Sequence, residues 1–341
     1  NAHIFTFAMD RSYYILKSGS LYREQNTIVF ETNEGKKFLP IENVKDIYLF
    51  GEVSLNTKLL NFLSQNEIIL HIFNYYGYYS GSFFPREKYI SGKLLVLQVE
   101  HYLDFEKRLF LAKKFIEGSI FNILRNLKEI KSQRIEDIKE IFLELKNAND
   151  IEKIMNIEGR IREIYYNEFF EIEKRTKKPP LDPINALISF GNSLLYATII
   201  SEIYITQLNP TISYLHEPSE RRFSLALDIS EIFKPIIVDS IIKRVLNLNI
   251  INENDFLKEL NYCYLNDEGK RKFIKEYEEK LKSTIKHRKL KRKVSYRMLI
   301  RLECYKIMKH LLGDEIYEPL KAWWWYVLYN YLWYCWWTKI K

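Results

Sequence analysis

The sequence predicts an α+β protein in which an N-terminal β domain is followed by a larger helical domain. Two patterns support this class. Short β-rich runs separated by turn residues come first, and apolar residues at helical spacing replace them after about residue 94. The length of 341 residues exceeds that of one common domain, and a hydrophobic content of 47% is enough for sizeable cores.

The β domain is expected at residues 9–85. Its β-forming runs at 13–17, 27–32 and 68–84 are bounded by Gly, Ser and Asn, which favour turns. Leucines at positions 59, 60 and 63 predict one helical interruption, over residues 56–65. No strong period is found in residues 85–93, and we therefore place a linker at 86–97.

The helical domain is expected at residues 98–324. Asp150 is predicted to cap one of its helices, and Pro183 suits the first turn of another. Pro235 predicts a kink, and no internal repeat is found. The predicted helices cover residues 94–126, 135–145, 151–170, 183–206, 224–246, 255–260, 268–282 and 296–312.

The cysteines indicate a reducing compartment. The chain has three cysteines, Cys263, Cys304 and Cys335. An odd number without CxxC spacing argues against both a disulfide framework and a thiolate zinc site. No basic leader with a long apolar core is found near the start, so we expect the cytoplasm. Residues 1–8, before Met9, are expected to lie outside the folded domains.

Two apolar segments raise the question of membrane contact. Residues 184–200 carry no charge, but Asn185 and Asn192 help to make them too polar to span a membrane, and the segment is also short, so we expect a buried core helix. Residues 325–341 form an atypical aromatic tail, and all six Trp lie between positions 323 and 337. A packed or partner-binding tail, an interfacial membrane anchor and a region beyond the native end all stay open for it.

Positive charge is concentrated in one segment. The net charge is +8, yet residues 270–293 hold twelve Lys or Arg against three Glu, so the rest of the chain sums to −1. Such a block is either a solvated helix face or an electrostatic surface for a polyanion. The second interpretation rests on the release of counterions from a phosphate backbone by clustered cations.

A carboxylate lies within the apolar seam of the helix predicted at 151–170. Glu158 follows Ile154 by four residues, so its side chain should be partly buried, which costs several kcal/mol unless a cation or a metal compensates. Arg162, one turn further on, is the ordinary ion-pair partner. Gly159 is unfavourable within a helix and suggests that another group approaches closely.

A second group of polar residues combines a loop and a helix. His216 lies in a predicted loop, and Asp228 and Glu231 are three residues apart on a predicted helix. One imidazole and two carboxylates suit Mg²⁺ or Mn²⁺, which are hard cations that prefer oxygen ligands. Carboxylates at this spacing are also typical of a solvated helix face, so the spacing alone leaves the metal interpretation open.

Five segments in this order resemble CRISPR-associated protein one, a family of spacer-acquisition integrases and metal-dependent DNA endonucleases. YYGYYSGSFFPRE (75–87) is similar to the same family's junction between strand and linker, so the resemblance covers about residues 12–324. The five segments are IEGRIREIYY (157–166), PPLDPINALISFGNSLLY (179–196), YLHEPSERRFSLALDISEIFKP (214–235), YLNDEGKRKFIKEYEEKL (264–281) and KVSYRMLIRLECYKIMKHLLG (293–313).

The resemblance implies an N-terminal β-sandwich that mediates homodimerisation and a C-terminal, all-helical catalytic domain. It assigns Glu158, His216 and Glu231 as ligands of Mg²⁺ or Mn²⁺ and places Asp228 at a further acidic position of the catalytic site. Asp228 would hold a second ion, orient water or support a ligand. Many members have Asp as the last ligand, and Glu231 is longer by one methylene.

The implied reaction joins the 3′-hydroxyl of a prespacer to a phosphodiester of the CRISPR repeat, with the small CRISPR-associated protein two as a partner and no membrane contact. A non-catalytic DNA-binding scaffold and a repair nuclease for branched DNA are the alternatives. Basic side chains of the protein would bind the backbone of double-stranded DNA without reading its base sequence. The expected DNA contacts are Arg162, Lys286, Arg288, Lys289, Lys291, Arg292 and Arg297.

Overall fold

The computed structural model describes residues 4–6, 11–218, 223–259, 261–287 and 290–322 of the chain. Its N-terminal part is rich in strands, as predicted. The elements of this part are β1 (Ile4–Thr6), β2 (Arg11–Ile15), β3 (Gly19–Glu24), β4 (Thr27–Thr32), β5 (Gly35–Pro40), β6 (Val44–Leu49), β7 (Val53–Ser54), α1 (Thr57–Gln65), β8 (Ile69–Phe73) and β9 (Tyr79–Phe83).

Two sheets form this part of the protein. A five-stranded mixed sheet has the order β1-β2-β6-β8-β9, in which β2, β6 and β8 are parallel. A four-stranded sheet has the order β5-β4-β3-β7. Strands β3, β5 and β6 lie outside the predicted runs, because their mixed polar and apolar residues give a weak period.

Alternate residues of the five-stranded sheet face different cores. On β2, Ile15 packs with residues of the four-stranded sheet and α1, whereas Tyr14 joins the core of the helical domain. On β6, Leu49 likewise packs with the four-stranded sheet and α1, whereas Tyr48 joins the core of the helical domain. Because successive side chains of a strand point to opposite faces, this sheet is covered by apolar side chains on both faces.

The rest of the described chain is mostly helical, which confirms the α+β class. A π-helix at Pro235–Asp239 interrupts the helix predicted at 224–246, at the place where Pro235 predicted a kink. The elements are α2 (Gly92–Leu103), α3 (Phe105–Glu129), α4 (Ile135–Asn147), α5 (Ile151–Phe170), α6 (Pro183–Tyr204), α7 (Ser224–Phe233), α8 (Ser240–Asn247), β10 (Phe256–Glu259), β11 (Tyr262–Leu265), α9 (Asp267–Lys282), β12 (Thr284–Lys286), β13 (Lys293–Ser295) and α10 (Tyr296–Leu312).

Two predicted helices differ from the structure. The helix predicted at 94–126 is two helices, because Asp104 is extended and its side chain accepts a hydrogen bond from Lys107 N at the start of α3. The prediction of a helix at 255–260 is wrong. A capping box of Asn252 and Asp255 surrounds a single 3-10 turn, and β10 then pairs with β11. Local apolar spacing contains no information about that pairing.

Two boundaries also differ from the sequence-based expectation. Strand β1 lies within residues 1–8, which were expected outside the folded domains, and it pairs with β2. Helix α2 begins at Gly92, inside the segment 86–97 where a linker is predicted, and Ser91 caps it by accepting from Leu94 N. The predicted aromatic tail, 325–341, lies outside the described residues.

The apolar helix α6 is a core helix, as predicted. By length and composition it could cross a membrane, but 78% of its most apolar window is buried inside the protein. It contacts α7, α10 and β11. Burial by neighbouring helices therefore accounts for its apolar composition.

A buried ion cluster joins the two domains. Arg297 of α10 donates to Asp46 Oδ2 of β6 at 2.6 Å, to Glu202 Oε1 of α6 at 2.7 Å and to Ser12 Oγ at 2.7 Å. Arg301 also pairs with Glu202, at 2.8 Å. The expectation that Arg297 contacts DNA is therefore wrong, since its guanidinium is committed to buried carboxylates.

His71 of β8 forms a second polar contact across the same boundary. Its Nδ1 lies 2.7 Å from Ser82 Oγ and its Nε2 lies 2.7 Å from Ser201 Oγ of α6. Burial lowers the pKa of His71 from 6.5 to about 4, and the positive charge of Arg297 acts in the same direction against the charge of Asp46. The folded protein thus holds a neutral imidazole at neutral pH.

We expect the His71→Gln variant to lose part of the acid sensitivity of the wild-type chain. The unfolded chain protonates His71 near pH 6.5, while the folded protein does so only near pH 4. Because the unfolded state binds more protons in this window, wild-type stability falls as the pH decreases from 6.5 towards 4, by roughly 3 kcal/mol. Urea denaturation across this range measures the difference, and identical slopes for both proteins would contradict it.

Candidate active site

Helix α5 places Glu158 at the edge of the helical core. Asp150 caps the helix by accepting from Lys153 N at 2.7 Å, and buried residues such as Ile154 and Ile161 fix its inner face. The side chain of Glu158 is 20% exposed. The structure therefore confirms a partly buried carboxylate in the apolar seam.

Arg162 holds two carboxylates from different helices. Its Nε donates to Glu158 Oε1 at 2.9 Å, and its Nη2 donates to Glu231 Oε2 of α7 at 2.5 Å. Nη2 also lies 3.3 Å from Ser119 Oγ, while Nη1 is buried without a hydrogen-bond partner among the described residues. One guanidinium thus brings together side chains that are 73 residues apart in sequence.

Glu231 is a buried and ionised carboxylate. Its side chain is 6% exposed and also pairs with Lys234, one turn further along. Burial alone would raise the pKa of Glu231, but the positive charges of Lys234 and Arg162 outweigh burial and lower it to about 2. The carboxylate therefore carries its negative charge throughout the neutral range.

Asp228 organises the loop that carries His216. Its Oδ2 accepts from Tyr214 N at 2.7 Å and from Leu215 N at 3.0 Å, and its Oδ1 accepts from His216 N at 2.9 Å. Oδ1 also lies 2.8 Å from Nδ1 of His216. In the tautomer in which Nδ1 donates to this carboxylate, the lone pair of Nε2 is available to a ligand.

The charge of Asp228 also affects the protonation of His216. Burial would lower the pKa of His216, but the hydrogen bond and negative charge of Asp228, together with the charge of Glu231, raise it. The charges of His216 and Glu231 thus each shift the pKa of the other group. A divalent cation would oppose protonation of the imidazole here.

Side chains of two other helices also hold the loop that carries His216. Arg108 of α3 donates to Tyr214 O at 3.0 Å and to Glu217 Oε2 at 2.8 Å. Tyr102 of α2 donates to the other oxygen of Glu217 at 2.5 Å. Two helices therefore fix the loop on one side, and Asp228 fixes it on the other.

The donor set suits a hard divalent cation, although it is not yet in a coordinating arrangement. Among the described residues, no three His, Cys, Asp or Glu side chains are close enough together to form a metal site. The guanidinium of Arg162 lies between the two carboxylates instead, and Lys234 holds the second of them. Two carboxylates and an oriented imidazole fit Mg²⁺ or Mn²⁺ once those cationic side chains move away.

Gly159 does not mark a close approach within the described chain. A Cβ built on Gly159 meets no atom within 4 Å. No described residue therefore makes the close approach that Gly159 suggests. The space beside the Cα of Gly159 is open among the described residues.

Comparison with known proteins identifies the family. The sequence family described as CRISPR associated protein Cas1 matches residues 13–279, which is more than half of the chain. The chain belongs to the Cas1 family. The resemblance of its five sequence segments is confirmed.

Curated Cas1 relatives align along most of the chain. "CRISPR-associated endonuclease Cas1 3" of Thermodesulfovibrio yellowstonii is 55% identical over 92% of this chain and 100% of its own length. "CRISPR-associated endonuclease Cas1" of Clostridium perfringens is 53% identical over 93% of this chain and 100% of its own length. The relatives therefore include both the β domain and the helical domain.

Solved structures share the fold. A Cas1 protein from Thermotoga maritima has a TM-score of 0.85 at 44% identity and covers 91% of this chain and 99% of its own. A casposase bound to integration product has a TM-score of 0.81 at 20% identity and covers 96% of this chain and 99% of its own. The mixed architecture is thus that of Cas1 structures.

Two charged residues of this Cas1 chain were not predicted at the site. Lys234 pairs with Glu231, and the only sequence signal is its i+3 spacing. Asp239 ends the π-helix and accepts from Tyr165 OH at 3.0 Å. Burial raises the pKa of Asp239 to about 6 against the positive charge of Arg162. Its sequence signal is an isolated carboxylate inside the apolar run 235–242.

The predicted DNA contacts have different outcomes. Arg162 is only 11% exposed and faces carboxylates. Lys286, Lys291 and Arg292 are exposed on or beside the β12–β13 hairpin, whereas Arg288 and Lys289 lie outside the described residues. Much of the remaining basic segment is paired within the protein, through Lys270, Arg271 and Lys272.

We expect Asp228→Asn to destabilise the protein in the absence of metal. A carboxamide nitrogen cannot accept the backbone N–H bonds that the carboxylate accepts, and each charge-assisted bond contributes about 1.5–3 kcal/mol. The free energy of unfolding should therefore fall by about 3 kcal/mol or more. Urea denaturation in EDTA measures this, with Glu152→Gln on the exposed face of α5 as the control. Stabilisation would indicate that Asp228 serves a metal and not the loop.

Proposed function

We propose that this Cas1 chain is a CRISPR adaptation integrase and endonuclease, which inserts prespacer DNA into the repeat array by metal-dependent transesterification. The observation that carries the proposal is the pair of carboxylates, Glu158 and Glu231, bound to one cationic group, together with the orientation of His216 by Asp228. The names of the aligned relatives, which are CRISPR-associated endonucleases, support the same reaction class.

Glu158, Glu231 and His216 would hold the divalent cation, Mg²⁺ or Mn²⁺. When bound, such an ion supplies a lowered pKa for an attacking hydroxyl and neutralises charge that develops on the phosphate. The chain keeps Glu231 ionised, because Lys234 and Arg162 lower the pKa of its carboxyl group. It also keeps Nδ1 of His216 engaged with Asp228, so that Nε2 is the nitrogen that faces a ligand.

Arg162 would have a second role once it leaves the carboxylates. Its guanidinium pairs with both of them, at 2.9 Å from Glu158 and 2.5 Å from Glu231. A planar guanidinium binds phosphate oxygens in a bidentate manner, so the same side chain can contact a substrate phosphate. No covalent intermediate with the protein is required, because the 3′-hydroxyl of the DNA is the nucleophile.

The proposed partners follow from the family and from the charge. Double-stranded DNA, as prespacer and as CRISPR repeat, would contact the exposed cations of the β12–β13 hairpin. We propose a homodimer through the β domain, whose edge strands β1, β5, β7 and β9 offer unpaired backbone groups. CRISPR-associated protein two completes the proposed assembly, and the cytoplasm is its proposed location.

We expect Glu158→Gln and His216→Ala each to reduce transfer of a prespacer 3′-end into a repeat duplex by about 100-fold or more with Mn²⁺, since each removes a ligand. A sequencing-gel assay with labelled prespacer measures the transfer. Glu152→Gln, on the same helix but exposed, should retain it.

Three other outcomes would argue for a different function. If His216→Ala transferred the prespacer end as well as the wild-type chain does, the assignment of His216 as a metal ligand would be wrong. DNA binding without transfer or cleavage in the wild-type chain would favour a scaffold. Cleavage of branched DNA without transfer would favour a repair nuclease.

We expect the triple variant Lys286→Gln, Lys291→Gln and Arg292→Gln to bind duplex DNA more weakly. Each lost phosphate contact should reduce the slope of log affinity against log salt by about 0.9, for any DNA sequence. Fluorescence anisotropy over a range of salt measures the slope. A matched triple variant of ion-paired cations, Lys139→Gln, Arg134→Gln and Arg160→Gln, is the control. An unchanged slope would identify the hairpin as a solvated face.

A further inference from the structure

Helix α3 contacts both of the helices that carry the candidate carboxylates. These are α5, which carries Glu158, and α7, which carries Glu231. Three polar side chains of α3 take part in these contacts, although each is no more than 3% exposed. They lie one turn apart, and therefore on one face of the helix. We call Ser119, Asn122 and Asn126 the α3 polar row.

Asn122 joins α7 to the last described residues of the chain. Its Nδ2 donates to Ile232 O at 2.9 Å and to Leu320 O at 3.2 Å. Its Oδ1 accepts from Ala322 N at 2.8 Å, so the amide uses both its donors and its acceptor. Because Ile232 directly follows Glu231, this amide holds the backbone beside that carboxylate.

Asn126 joins the π-helix to α5. Its Nδ2 donates to Pro235 O and to Tyr165 OH, both at 2.8 Å. Tyr165 OH in turn donates to Asp239 Oδ2 at 3.0 Å. The amide therefore contacts the first residue of the π-helix directly, and it reaches the last one through a tyrosine of α5.

The junction between α7 and the π-helix departs from the regular ladder of helical hydrogen bonds. Pro235 has no N–H to donate to the carbonyl four residues earlier, which is that of Glu231. Further on, Asp239 N donates to Lys234 O at 3.0 Å, five residues back, as in a π-helix. The two asparagines of α3 donate to carbonyl oxygens on this junction, so α3 holds a segment whose own ladder is interrupted.

The third member of the α3 polar row reaches the guanidinium of the site. Ser119 Oγ lies 3.3 Å from Arg162 Nη2, the nitrogen that also donates to Glu231 Oε2 at 2.5 Å. A shift of one helix would leave buried polar groups of the row unpaired, which is costly. The placement of α7 against α5 therefore depends on the hydrogen bonds of α3.

We propose that Asn122 and Asn126 are positioning residues, which hold the backbone beside Glu231 so that its carboxylate and that of Glu158 bind one divalent cation. This inference rests on the proposed function. The two asparagines act through the carbonyl oxygens of α7 and the π-helix, and neither donates to a site carboxylate among the described residues. Amides that served stability alone would change the free energy of unfolding and leave the affinity for the metal unchanged.

The test measures Mn²⁺ binding to the full chain without DNA, by electron paramagnetic resonance. Asn122→Leu and Asn126→Leu replace each amide with an apolar group of similar size. Each is expected to bind Mn²⁺ about tenfold more weakly or worse, because groups that support metal ligands contribute this much to the affinity. Thr198→Val is the matched control, since Thr198 is also buried and accepts from Tyr277 OH at 2.9 Å. Its Mn²⁺ affinity should stay within about twofold of the wild-type value, because it supports no ligand.

The free energy of unfolding is measured for the same variants. Urea denaturation in EDTA compares the loss of stability in the leucine variants with that in Thr198→Val. Asn126→Ser, which is smaller and keeps one donor, is the second variant, and its Mn²⁺ affinity should lie between those of the wild-type chain and Asn126→Leu. Wild-type Mn²⁺ affinity in the folded asparagine variants, or an equal loss of affinity in Thr198→Val, would overturn the proposal. If the leucine variants do not fold, wild-type affinity in Asn126→Ser would overturn it.

The proposed function is tested separately, by strand transfer with the wild-type chain. Mn²⁺ binding that depends on the two asparagines, without transfer or cleavage of DNA, would contradict the integrase function and retain the positioning role. Transfer by the wild-type chain, with unchanged Mn²⁺ affinity in the asparagine variants, would do the reverse.

Discussion

The buried ion cluster around Arg297 is the constraint on which the arrangement of the two domains depends. Asp46 comes from the five-stranded sheet and Glu202 from the central helix α6, and neither side chain is exposed. Removal of one partner, such as Asp46, would leave the guanidinium of Arg297 with an uncompensated charge in a buried contact, which costs about 3–5 kcal/mol. The β domain is therefore held in one orientation on the helices. His71 adds a neutral polar contact to the same boundary.

The site itself consists of charges that neutralise each other. Arg162 pairs with both Glu158 and Glu231, and the charges of Lys234 and Arg162 lower the pKa of Glu231. Asp228 does not face this group but accepts three backbone N–H bonds and orients His216. The imidazole of His216 is thus oriented by Asp228, while the carboxylates of Glu158 and Glu231 are paired with cationic side chains.

The sequence by itself determined the order of the domains, most helices and the Glu158–Arg162 pair, because strand alternation, helix periodicity and i+4 spacing are local properties. Its motifs also indicated the family. Only the tertiary structure decided that Arg162 reaches Glu231, 69 residues away, and that Arg297 is buried between domains and not free for DNA. It also decided that residues 256–259 pair as a strand. These outcomes depend on which distant groups share a low-dielectric interior, and local spacing does not contain that information.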